Sequence, residues 1–277
     1  MVKKIRQEVT SMIARALFKV DMKKSIKLMF IFWVILVMYS VVIIWMFDPE
    51  FSEMLLQYQQ MMPELMSAFG MEGETNSLIA FMNTYLYGFL MLIIPMIFEL
   101  MLVNQCVMKY VDNGSIACIL ATPNSRKKII ITQMLAILIS IVILISATAM
   151  AGYLSAEILF QGELDVAKYI NLNISTLLLH FTISGISFFS ACFFNEEKNY
   201  LAIGAGLPLA FYLIQMLSGM GDSLDKLKYF TIYTLFPADY IISGEGNVLF
   251  YNLMMLFLAA LLYSLGAIRF IKKDMPI

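Results

Sequence analysis

Residues 129–154 read "IIITQMLAILISIVILISATAMAGYL", 26 positions without one charged side chain. At about 1.5 Å per residue a helix of this length crosses the roughly 30 Å hydrocarbon layer of a bilayer. In lipid each peptide group must be satisfied within its own segment, which a helix does unaided. The run lacks the strict alternation of a membrane barrel strand. Five further runs behave alike, at 26–47, 79–103, 172–194, 200–220 and 248–268. Over 277 residues, 61% are apolar and only 14% charged, too few charges to coat a soluble body of this size. The expected fold class is an all-α integral membrane protein with six transmembrane helices.

Working outward from this run, the cations set the orientation. Sixteen Lys and Arg residues fall before the first span or just inside its start, between the second and third, between the fourth and fifth, and after the sixth. Only Lys168, Lys226 and Lys228 fall on the opposite side, where thirteen of the 20 acidic residues lie. The positive-inside rule therefore places both termini in the cytoplasm of a multi-pass plasma-membrane protein, and the net charge of -1 conceals this polarity. No cleavable signal peptide is expected, because the first 25 residues are charged.

Residues 1–25 carry Ile5, Val9, Met12, Ile13, Ala16, Leu17 and Val20 at steps of three and four, with Lys and Arg around the rest of the circumference. This predicts a basic amphipathic helix lying in the inner interface, ahead of a transmembrane domain over 26–277. The first outer loop, 48–78, is acidic and predicts a surface helix ending at Gly70. The third, 221–247, is too apolar for a solvated linker and too short to cross twice. It predicts one or two short helices dipping into the outer leaflet, broken at Pro237 and Gly244. Pro95 is expected to kink the second span, and Gly204, Gly206 and Pro208 the fifth. Ser184, Gly185 and Ser187 offer small contacts for close helix approach.

Several chemistries are excluded. There is no phosphate-binding loop of the G-x-x-x-x-G-K-[ST] type, so this chain is not expected to hydrolyse ATP or to bind a cofactor itself. One histidine cannot build a multi-His metal site, and Cys106, Cys118 and Cys192 have neither disulfide-framework nor metal spacing. Ionisable residues inside the spans are few, and Glu99 and His180 stand out among them. A charge at mid-bilayer costs at least ~2.5–3.5 kcal/mol, so Glu99 is expected to face the bundle interior, paired or protonated. Both are candidates for a substrate path.

Ahead of the opening run stands "YVDNGSIACILATPNSRKK", residues 110–128. Asp112, Asn113 and Gly114 signal a turn, and Ser115 can cap a short helix with Ile116, Ile119 and Leu120 on one face. Pro123 stops that helix, Asn124 or Ser125 can cap the third span, and Arg126, Lys127 and Lys128 anchor its start at the headgroups. The loop over 108–128 is expected to form a compact knob on the inner side. Its apolar face is too small for lipid and suited to a groove on a cytoplasmic partner.

The basic leading helix, six spans and this loop resemble the permease subunit of type 2 ABC exporters. The motif lies in the acidic turn with Gly114 before a short helix, then Thr122, Pro123, Ser125 and Arg126 at the start of the third span. The resemblance implies a type 2 exporter transmembrane domain, with residues 1–25 as its elbow helix and 221–247 as an outer re-entrant element. It also implies pairing with a second permease, identical or homologous, and docking on ATP-binding cassette subunits that carry ATP and Mg. Asp112, Gly114, Ile116, Ile119, Leu120, Pro123 and Arg126 would couple ATPase to permease. The implied activity is export of a hydrophobic or amphipathic substrate, such as a drug, an antimicrobial peptide or a lipid-like molecule, with no role for nucleic acid. Two other readings compete: a proton-coupled carrier using Glu99 and His180, and a non-transporting immunity or sensor component.

Overall fold

The computed structural model describes residues 13–48, 54–55, 57, 60–68, 76–220 and 224–273. Among them no strand occurs, and six helices are long and apolar enough to cross a membrane. These spans run Arg15–Trp45, Leu90–Asp112, Arg126–Leu159, Val166–Phe193, Glu197–Ser218 and Val248–Lys272. Hydrogen bonds fix the two ends of the bundle. Ala14, Asp112, Arg126, Phe194, Glu197 and Lys273 meet at one end, called here the basic end. Tyr87, Asn173, Lys168 and Ile242 meet toward the other, the acidic end.

The apolar runs mark the spans, but the helices outlast them. The third span begins at Arg126, where Ser125 caps it by accepting from Lys128 N at 3.2 Å. The fourth begins at Val166, capped by Asp165 through Lys168 N at 3.0 Å. No helix break falls at residue 25, since Arg15–Trp45 is one unbroken helix. Neither Gly nor Pro stands between its ends to break it. Residues 1–12 and Gly70 lie outside the described residues.

The second span differs most. A short helix, Leu78–Met82, passes into a π-helical turn, Asn83–Tyr87, and the chain breaks at Gly88 and Phe89 before the span proper starts at Leu90. Gly88 has the weakest helix preference after proline, and the apolar run conceals the break because both pieces are equally apolar. At its other end the span continues past Val103 through a π-helical turn, Asn104–Met108, to Asp112. The fifth span also carries a π-helical turn, Leu201–Ala205, after its first α-helical turn and ahead of Pro208, so the expected irregularity there is present. Between the fifth and sixth spans lie two 3₁₀ turns, Asp225–Phe230 and Ile232–Leu235, and the helix Ala238–Ser243. Pro237 starts that helix and Gly244, at φ 78°, ends it, as the sequence predicts.

The fourth span is the hub, with 72% of its apolar window buried against 17% for the sixth and 22% for the fifth. It packs on the sixth, second and third spans, while the first lies along the third. Lipid is as apolar as these side chains, so close fit and hydrogen bonds hold the helices together, each bond giving about 0.6 kcal/mol. Tyr263 donates to Ser184 at 2.9 Å, Ser175 to Asn252 at 2.8 Å, and Ser25 bonds Ser140 between the first and third spans. A Cβ on Gly185 would sit 3.2 Å from Leu262 Cβ, and one on Gly266 only 3.1 Å from the Phe189 backbone. The expected small-residue seam therefore joins the fourth and sixth spans. Gly266→Val should destabilise by about 1–3 kcal/mol, because the obstacle is backbone and cannot rotate away. Thermal unfolding of the detergent-solubilised chain checks this, and an unchanged midpoint would count against the seam.

Candidate functional site

At the basic end the loop folds into the expected knob, with its faces assigned differently. Gly114 takes φ 72°, a conformation that favours glycine, and reverses the chain after Asp112. Asn113 Oδ1 accepts from Ser115 N at 3.0 Å and from the Ser115 hydroxyl at 2.5 Å. Ser115 therefore makes no side-chain cap of its own; the preceding asparagine turns the chain into the helix. In the helix Ile116–Leu120, Ile116 is buried in the main core, and Ile119 and Leu120 pack half-buried against that core. The apolar face expected to seek a partner thus seats the knob on its own body, since a face this small meets the nearest apolar surface. What points outward is Cys118, Ala121, Thr122 and Pro123. Thr122 donates to the Ile119 carbonyl at 2.6 Å and accepts from Asn124 at 3.1 Å, holding the turn past the helix.

The knob is tied to four spans. Asp112 Oδ1 accepts from Glu197 N at 2.9 Å, capping the start of the fifth span from the end of the second. Asn104 donates to Glu197 Oε1 at 2.5 Å. Arg126, expected to anchor the third span at the headgroups, is half-buried and donates from Nη1 to the Lys273 carbonyl at 2.8 Å, joining the third span to the end of the sixth. The Lys273 ammonium donates in turn to the Phe194 carbonyl at the end of the fourth. Sequence reading missed Asn104, Glu197 and Lys273, which give no local signal. Beside the knob a groove of about 630 Å³ runs between the first helix and the third, with Arg15, Cys118, Ile119 and Lys128 among its walls.

Burial pushes the Lys273 ammonium down from 10.5 to about 8. Between these values the unfolded chain holds a proton that the folded chain has released, so stability should climb with pH from about 8 to 10.5. Below that window both forms are protonated and the cost of burying the charge is fully present. Lys273→Met should flatten the climb in denaturant titrations of the solubilised protein; an identical slope would contradict it.

Deeper in the bundle, Glu99 and His180 meet. Glu99 Oε1 lies 2.8 Å from His180 Nδ1, and both side chains are fully buried. His180 Nε2 lies 2.8 Å from the Met91 carbonyl. Pro95 explains why that carbonyl is open: it supplies no N–H to the residue four positions back. Carbonyls point toward the carboxyl end of a helix and side chains tilt toward the amino end, so Met91 and Glu99 converge on one imidazole. A carbonyl only accepts, so Nε2 carries its hydrogen and the Glu99 contact holds one further shared proton. The pair is neutral as a whole, which suits full burial. Ser184 donates to the His180 carbonyl at 2.7 Å and accepts from Tyr263, extending the link to the sixth span. Among the described residues no group of three metal-ligating side chains occurs.

A family model described as "ABC-2 family transporter protein" matches residues 15–275. No curated protein and no solved structure matches the chain. The chain belongs to the ABC-2 transporter family: it is a multi-pass membrane permease, the transmembrane part of an ABC transporter that works with an ATPase partner.

Proposed function

We propose that this permease pairs with a second permease, the same or homologous, and with two ATPase subunits to export a hydrophobic or amphipathic molecule across the plasma membrane. The basic end faces the cytoplasm, following the positive-inside rule. ATP and Mg are bound by the partner subunits. The observation that carries this reading is the knob: a helix seated by Ile116, presenting Cys118 and Ala121, and bonded into the starts or ends of neighbouring spans. A push on such a knob reaches the second and fifth spans through Asp112 and the third and sixth through Ser125 and Arg126. The differential affinity of ATP for the two arrangements supplies the drive.

The Glu99–His180 contact favours a second reading, a proton-coupled carrier. His180 is held at both ring nitrogens, by Glu99 and by the Met91 carbonyl, which makes the contact first an interhelical tie. Reconstitution decides between the two. Reconstituted with its cognate ATPase, the chain should move an amphiphile only when ATP is supplied. Flux that persists without ATP and collapses with the proton gradient would establish the carrier.

A further inference from the structure

At the acidic end a chamber of about 350 Å³ opens between the start of the second span, the end of the fifth and the 3₁₀ segments that follow. Its walls are aromatic and acidic. Tyr87, Tyr212 and Tyr233 line it, all nearly buried, with Tyr212 and Tyr233 edge to face at 5.5 Å. Asp225 and Asp239 stand on the same lining. Among the described lining residues Lys228 is the one cation, and it is held 2.7 Å from Asp225, so none of them pairs with Asp239. Asn83 also lines the chamber, and its buried side-chain oxygen is an acceptor without a hydrogen-bond partner among the described residues. Below lies a second apolar cluster that includes Met96, Met255 and the two tyrosines, with Met216 packed against it.

Each of these features asks for the same chemistry. Tyrosine faces attract a cation within about 6 Å of the ring. An orphan amide oxygen accepts from a donor, which an ammonium group supplies, since burial without a partner is costly. An unpaired carboxylate rejects anions, and the adaptable thioether floor accepts an irregular apolar body. The excess of acidic residues in the loops at this end adds a field that concentrates cations. We infer that this chamber binds the ammonium head of a cationic amphiphile, its apolar tail lying over Tyr212, Tyr233 and Met216. Its role as cargo rests on the export reading; binding itself does not.

The test uses the full chain in nanodiscs of zwitterionic lipid, titrated calorimetrically with octylammonium and with octyl sulfate, and with empty nanodiscs as the blank. Octylammonium should bind at least about tenfold tighter than octyl sulfate. Asp239→Asn should remove most of that preference, and Tyr212→Leu should weaken the ammonium about three- to tenfold. Asp239 is exposed, so its variant should unfold at the unchanged temperature and the binding loss can be assigned to charge. Equal affinity for the two probes, or an unaltered preference in the folded Asp239→Asn protein, overturns the proposal. Charge-selective binding without ATP-driven flux, once the ATPase is added, refutes export and leaves the site standing. Flux without charge preference does the reverse.

Discussion

His180→Leu is expected to destabilise the bundle by about 3–5 kcal/mol, the usual cost of removing one partner from a buried pair. Two groups lose their partner together: the Glu99 carboxyl and the Met91 carbonyl that Pro95 leaves open. Glu99→Leu strands only the Nδ1 lone pair, and about 1–3 kcal/mol should go. Glu99→Gln should cost the least, within about 1 kcal/mol, because its amide can donate to Nδ1 while Nε2 keeps its bond to Met91. Denaturant unfolding of the solubilised chain should therefore rank the variants in that order. The same Glu99→Gln protein separates the functional readings, since an exporter keeps its flux and a proton-coupled carrier loses it. Equal losses for Gln and Leu at position 99 would contradict the shared-proton geometry.

The second large effect is expected at the knob. Cys118 and Ala121 are exposed, so Cys118→Glu with Ala121→Glu should leave insertion and unfolding temperature unchanged. ATP-driven flux should fall about tenfold or more, as when a contact at the centre of an interface is lost. Ile116→Ser should do the opposite, lowering stability first, because Ile116 is buried in the core of the chain itself. Normal flux in the double variant would remove the coupling role from this loop.

The spans are legible in the sequence because lipid leaves only one way to satisfy a long apolar backbone. Their ends are less so. Polar residues such as Asn104 and Lys109 read as loop, yet the helix runs on to Asp112, where side chains across the bundle take up the exposed groups. Gly88 and Phe89 break the second span inside an apolar run, where hydropathy carries no information about backbone. Arg15–Trp45 fails to divide at residue 25 because a change of surroundings, unlike a Gly or Pro, does not end a helix. Glu99 and His180 each stand out as ionisable residues in lipid, but their contact spans 81 positions of chain. One signal does anticipate it: Pro95 advertises an open carbonyl at Met91. The knob teaches a further limit. A small apolar face at 116, 119 and 120 states that something will cover it, and only the fold tells whether that is a partner or the chain itself.

Of the three cysteines, Cys106 and Cys192 are buried and Cys118 is exposed on the knob. A thiol-directed photo-crosslinker applied to native membranes will therefore label the knob at Cys118 without any substitution. On illumination, a separate ATPase subunit bearing a phosphate-binding loop should be captured, with the yield falling in the Ala121→Glu variant. Adducts to lipid alone, with no such ATPase recovered, would contradict it.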